Sequence, residues 1–268
     1  MTSRLLGKLE RVPRGLIRRL ACSLASAPTI SDAACPTFPS VSRDFLSSHG
    51  YHSQIGQDYV VDQILLGALE NGVFVDVGAH DGVEFSNTIF FEAVRGWTGL
   101  CIEPNPEVYK SLVTNRKCHT EQVAIGARTS TLDFTVIQGP DMLSGLSANF
   151  NRRHRRRIQS AILEAKGSRQ VIQVPVRPLQ SLLDFHGITH IDLLTIDTEG
   201  SELEVLKGID FHRTHVSCIV IERNYESGRI PKLLKSKGFT RLLALEWDDI
   251  YIRNDLQLRV PLCGENQK

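Results

Sequence analysis

Apolar positions in this chain gather into short runs closed by acids, glycines and prolines, and the runs recur at the spacing of strand, helix, strand. Val73, Phe74, Val75 and Val77 form one such run around Asp76, a pattern suited to a parallel strand buried on both faces. Comparable runs predict strands near 99–103, 120–125, 191–196, 216–221, 239–245 and 249–253. Crossover helices are expected between the first five, and the last two read as a hairpin. Residues 50–71 read as an entry segment and a helix, with Ile64, Leu65 and Leu69 on its apolar face and Asn71-Gly72 as its stop. An insertion of about 127–177 separates the third and fourth strands, carrying TLDFTVI, a loop with LSGL, a basic helix and RQVIQVPV. Alternating strands and helices predict an α/β fold around a mostly parallel sheet.

The chemistry-bearing residues stand where these strands end. Asp76 opens the spacing Asp76-x-Gly78-x-x-x-Gly82. A dinucleotide fold would show Gly-x-Gly-x-x-Gly instead, and His80 sits where a small residue would be wanted. Gly78 and Gly82 bracket a turn in which the backbone is expected to approach a ligand closely. Glu103 closes the second strand 25 residues after Gly78, where an acid in a doubly wound fold accepts both ribose hydroxyls. A plain helix cap is the alternative there, because Pro104 and Pro106 mark a helix start. Asp197, Glu199 and Glu202 follow the fourth strand. Thr198 and Ser201 offer a capping alternative, with Glu202 or Glu204 complementing the helix dipole. Glu222 ends the fifth strand in VIERNY.

These segments together resemble the FkbM-type methyltransferases. The resemblance runs from SQIGQDYVVDQIL through FVDVGAHDG, GLCIEPNP, QVAIGA, LSGL, VPVRPLQSLLD, IDTEGSELEVLKGI and CIVIERNY to WDDIYIRN. It implies a Rossmann-like class I methyltransferase fold: a seven-stranded, mostly parallel sheet with helices on both faces and an insertion between the third and fourth strands. It further implies S-adenosyl-L-methionine as donor, held by Asp76, Gly78, His80, Gly82 and Glu103, and a hydroxyl of a sugar, glycan or polyketide-like metabolite as acceptor. Many members carry Asn where this chain has His80, so one polar contact near the cofactor is altered. Asp197 is expected to face the methyl group. In-line transfer to a hydroxyl asks the protein to align two substrates and accept a proton, and Asp197, Glu199 and Glu222 are the candidate bases.

Composition limits the partners. With 268 residues, 41% hydrophobic, and a net charge of +1, the chain suits one substantial core and no general preference for polyanions. No apolar run reaches eighteen residues, so no transmembrane helix is expected. The six cysteines, at 22, 35, 101, 118, 218 and 263, lack metal-ligand spacing and read as thiols of a reducing, cytoplasmic compartment. Asp197, Glu199 and Glu222 leave metal assistance open, but no dedicated ligand cluster is visible and no metal is assigned. Residues 1–45 form a basic extension with Arg4, Lys8, Arg11, Arg14, Arg18 and Arg19 against Glu10, which reads as flexible, with organelle targeting or surface binding as alternatives. The catalytic domain is expected over 46–268.

The densest charge block, RRHRRR at 152–157, reads either as a solvated helix face or as an anion grip on the acceptor, with Arg153 and Arg156 as the binding pair. Nucleic acid is not expected, since no interleaved aromatic platform accompanies it. Two other classes compete with the enzyme reading: a nicotinamide oxidoreductase, which lacks its glycine signature, and a methyltransferase-like interaction module, which intact cofactor motifs argue against.

Overall fold

The computed structural model describes residues 37–38, 41–139, 141–150, 152–224 and 228–256. Most of the basic extension, and Cys22, Cys35 and Cys263, lie outside them. The described strands in chain order are β1 (Thr37–Phe38), β2 (Val73–Val77), β3 (Thr98–Ile102), β4 (His119–Glu121), β5 (Ala124–Ile125) and β6 (Ser130–Gln138). They continue as β7 (Gly145–Leu146), β8 (Ser168–Arg177), β9 (His190–Ile196), β10 (His215–Glu222), β11 (Phe239–Leu245) and β12 (Asp248–Arg253).

Eight of these make the main sheet, in the order β4-β3-β2-β9-β10-β12-β11-β1. All neighbours are parallel except β12, which runs antiparallel to both β10 and β11. The seven expected strands are present, with β1 added at the edge beside β11. The chain winds outward from β2 toward β4 and from β9 toward β11, so the winding reverses between β2 and β9. In open α/β sheets the carboxyl side of that reversal is the ligand crevice.

Alternate side chains of the central strands feed two apolar layers, as period-two geometry requires. Phe74, Leu193, Cys218 and Val220 join Val60, Ile64, Phe90, Phe91 and Trp97 on one face. Val75, Val77, Leu194, Ile196, Ile219 and Ile221 join Leu179, Leu182 and Val205 on the other. Each fully buried aliphatic side chain here contributes roughly 1.5–3 kcal/mol. Helix Pro106–Asn115 starts where the sequence signals it: Pro106 opens it, and Asn105 Oδ1 accepts from the Glu107 amide at 3.2 Å.

Two expectations change. The helix expected within 50–71, after the entry segment, is an α-turn, Gln57–Val60, that widens into a π-turn, Val61–Leu65. The strand expected at 120–125 divides: β4 stays in the main sheet, while β5 leaves it and pairs with β8. The insertion thereby builds a second sheet, β5-β8-β6-β7, in which β6 and β8 pair antiparallel from Ser130↔Val176 to Gln138↔Ser168. Helix Arg152–Ala165 lies between them in sequence. Phe134, Val136, Leu146, Val174 and Val176 supply a separate apolar cluster, so the insertion stands as a wall over the crevice.

Candidate active site

A cavity of about 670 Å³ opens at the carboxyl ends of β2, β3, β9 and β10. Asp76, Gly78 and His80 line it from the first turn, Glu103 from the second, and Asp197, Glu199 and Glu222 from the next two strand ends. Phe134, Met142 and Leu146 of the insertion close the far side. The acids found at strand ends in the sequence therefore converge on one space.

The first turn is held from within the protein. Asp76 is buried, and its Oδ2 accepts from Thr88 Oγ1 at 2.6 Å. Burial pushes its carboxyl up to about 6, against the Thr88 hydrogen bond and the Arg116 charge. Gly78 has φ +89°, and a Cβ there would stand 1.7 Å from the Asp197 carbonyl oxygen. Gly82 has φ +79°, and its Cβ would strike Arg116 and Leu112 at 2.6 and 2.7 Å. Protein segments crowd both positions, and of the two only Gly78 is among the lining residues. His80 takes the left-handed conformation at φ +51°, with Nε2 3.4 Å from Asp141 of the insertion.

Glu103 combines both readings given to it by the sequence. Its Oε1 accepts from the Asn105 amide at 2.8 Å and its Oε2 from the His80 amide at 3.1 Å, so it ties two turns together while lining the cavity. Burial raises its carboxyl to about 7, against those amides and His80.

Asp197, Glu199 and Glu222 bring carboxylate oxygens within 4.8 Å of one another. Asp197 is walled by protein yet open to water in the cavity. The walls push its pKa upward, an effect that contact with water moderates, and a hydrogen bond with Glu222 opposes it. Glu222 is the member that keeps a proton: burial, then the charges of Asp197 and Glu199, push it up to about 12. Glu199, at φ +52°, is buried and raised to about 8 by burial and then by Asp197, with Arg157 opposing. Its oxygens lie 3.3 Å from His154 Nδ1 and 3.6 Å from Arg157. Among the described residues this is the one acidic group whose spacing would also admit a divalent cation. Glu202 is structural, as its capping alternative anticipated: its Oε1 accepts from the Gly200 amide at 2.8 Å and from Asn224 at 3.1 Å. Ser201 makes no side-chain cap and instead accepts from Asn149 at 2.7 Å.

The chain is similar to known proteins. The family model for the methyltransferase FkbM domain matches residues 76–241, a span that includes every strand-end acid just described. The chain belongs to the FkbM methyltransferase family. Methyltransferase sdnD of Sordaria araneosa is 49% identical over 57 residues, 20% of this chain and 22% of that protein's length. Methyltransferase 1 of Beauveria bassiana is 26% identical over 182 residues, 63% of this chain and 72% of the relative. Among solved structures, an FkbM methyltransferase from Methylobacillus flagellatus is 17% identical, with a TM-score of 0.40 over 68% of this chain and 43% of that one.

FkbM methyltransferases are S-adenosylmethionine-dependent, and the cavity suits that group. Its volume lies within the range of small-ligand sites. Its acidic floor complements a cationic sulfur and an amino group, and Asn87 leaves a buried Oδ1 without a hydrogen-bond partner while its Nδ2 donates to Thr195 at 3.0 Å.

The FkbM frame also brings in residues not singled out from the sequence. Asp248, raised to about 7 by burial and then by Asp197, accepts from Gln57 Nε2 at 2.5 Å. Both line the cavity, as do Asn87, His154 and Arg157. Gln57 and Asp248 stood inside the SQIGQDYVVD and WDDIYIRN segments, and that was the available signal. Of the two arginines expected to bind acceptor, Arg156 is exposed and outside the lining; the side chain of Arg153 is not among those described. His215 stacks on His190 at the amino ends of β9 and β10, away from the cavity lining. Among the described residues no helix is long and apolar enough to cross a membrane.

Proposed function

We propose that this chain methylates a hydroxyl oxygen of a small polar acceptor, a sugar, glycan or polyketide-like metabolite, using S-adenosylmethionine. The observation that carries the reading is the meeting of Asp197, Glu199 and Glu222 within 4.8 Å in the cavity that Asp76 and Glu103 also line. The cofactor supplies a methyl group on a cationic sulfur. Glu103 accepts hydrogen bonds from its ribose, and Asp76, Gly78 and His80 form the turn that seats it. The acceptor hydroxyl lies over Asp197 and passes its proton there as the oxygen is alkylated. Protonated Glu222 donates to Asp197 and holds its orientation, and the two titrate as a pair. Glu199, flanked by His154 and Arg157, positions the acceptor from the insertion side.

The test is transfer of labelled methyl from S-adenosylmethionine to hydroxylated metabolites, comparing wild type with Asp197→Asn. Removal of the proton acceptor should lower turnover on the order of a hundredfold or more, with cofactor affinity and the melting transition retained. Full turnover by the variant would move the base elsewhere. Loss of its melting transition would make Asp197 a folding residue.

A further inference from the structure

The back of the cofactor turn holds a pair of thiols that the proposed chemistry does not use. Cys101, fully buried on β3, and Cys118, half-buried before β4, have sulfurs 3.5 Å apart. In the β3–β4 register Cys101 is opposite Thr120, two residues from Cys118, so both side chains project from the same face. A disulfide requires the sulfurs to close to about 2.05 Å.

We propose that Cys101 and Cys118 form an oxidation site that closes into a disulfide on exposure to a peroxide. Cys118 is the accessible partner and the attacking one. Its thiolate takes one oxygen of hydrogen peroxide to give a sulfenic acid, and the other oxygen leaves as water. The sulfur of Cys101 then displaces that hydroxyl as a second water, so two thiols and one peroxide give one disulfide and two waters. The surroundings divide the roles in this sense: the Cys101 thiol and the Arg116 guanidinium favour the Cys118 thiolate, whereas burial pushes Cys101 well above its usual range.

The bond would act on the turn through Arg116, two residues before Cys118. Arg116 donates to the Gly82 carbonyl at 3.2 Å and to Thr88 Oγ1 at 3.1 Å, and Thr88 holds Asp76. The Cys118 amide is itself fixed, donating to Glu92 Oε1 at 2.8 Å. Drawing Cys118 toward Cys101 therefore pulls on the brace of the first turn. This part rests on the cofactor reading above.

The experiment uses the full chain with Cys22, Cys35 and Cys263 changed to Ser, reduced, desalted and treated with hydrogen peroxide. Non-reducing peptide mapping should find the peptides of Cys101 and Cys118 joined, two hydrogens lighter, and released by dithiothreitol. Cys101→Ser should leave Cys118 as a sulfenic acid that dimedone traps, and Cys118→Ser should abolish the link. A Cys118 that stays reduced, or passes to sulfinic acid with Cys101 intact, overturns the proposal. S-adenosylmethionine affinity is then measured on both forms. The oxidised form should bind at least fivefold more weakly, and equal affinity would refute the coupling to the turn. Failure of the reduced form to bind would refute the cofactor reading instead, with the thiol chemistry judged by the peptide map alone.

Discussion

Gly78 and Asp197 are locked together at the reversal of the sheet: a Cβ on Gly78 would stand 1.7 Å from the Asp197 carbonyl oxygen, and the Asp197 amide donates to Val77 at 3.0 Å. The glycine places the fourth strand's acid beside the first turn.

Gly78→Ala should accordingly damage the fold. Neither a backbone clash nor a φ of +89° is relieved by side-chain rotation, and the loss should reach about 3 kcal/mol or more. Urea unfolding checks it. A variant of wild-type stability that fails only to bind cofactor would restore the ligand-approach explanation.

Glu103 should carry a pH signature. Its folded pKa of about 7 lies above its ordinary 4.5, so the folded state binds the proton more tightly than the unfolded one. The cost of ionising it is absent below about 4.5 and complete above about 7. Replacing it with Gln should therefore become more favourable, relative to wild type, by up to about 3 kcal/mol between pH 4.5 and 8. Denaturant titrations at the two pH values measure this, and a parallel pH response in both proteins would contradict it.

Arg157, 3.6 Å from Glu199 and on the cavity wall, should bind acceptor where Arg156 does not. Arg157→Ala should raise the acceptor KM severalfold, with cofactor affinity unchanged and added salt reproducing the change. Arg156→Ala should be neutral. The reverse pattern would return the binding role to the outer face of the helix.

The fold was legible where local pattern decides it. Apolar runs placed the central strands within a residue or two, and strand-end acids were visible because polar residues there interrupt buried runs. Contacts made only by the folded chain were not legible. Gln57 and Asp248 meet across 191 positions, with no periodicity to connect them. Ala124 and Ile125 continue an apolar run, and only the insertion's own sheet decides that they pair with β8. Gly82 has the same letter whether a ligand or Arg116 excludes its side chain. RRHRRR announced a basic helix, but its register over the cavity selects His154 and Arg157.

Calorimetric titration of the full chain with S-adenosylmethionine tests the central claim most directly. The account predicts saturable one-to-one heat from the wild type. In Glu103→Ala, loss of the ribose hydrogen bonds should cost roughly 1–3 kcal/mol, or about fivefold to 150-fold in affinity. No heat from the wild type, or an unchanged dissociation constant in the variant, would contradict it.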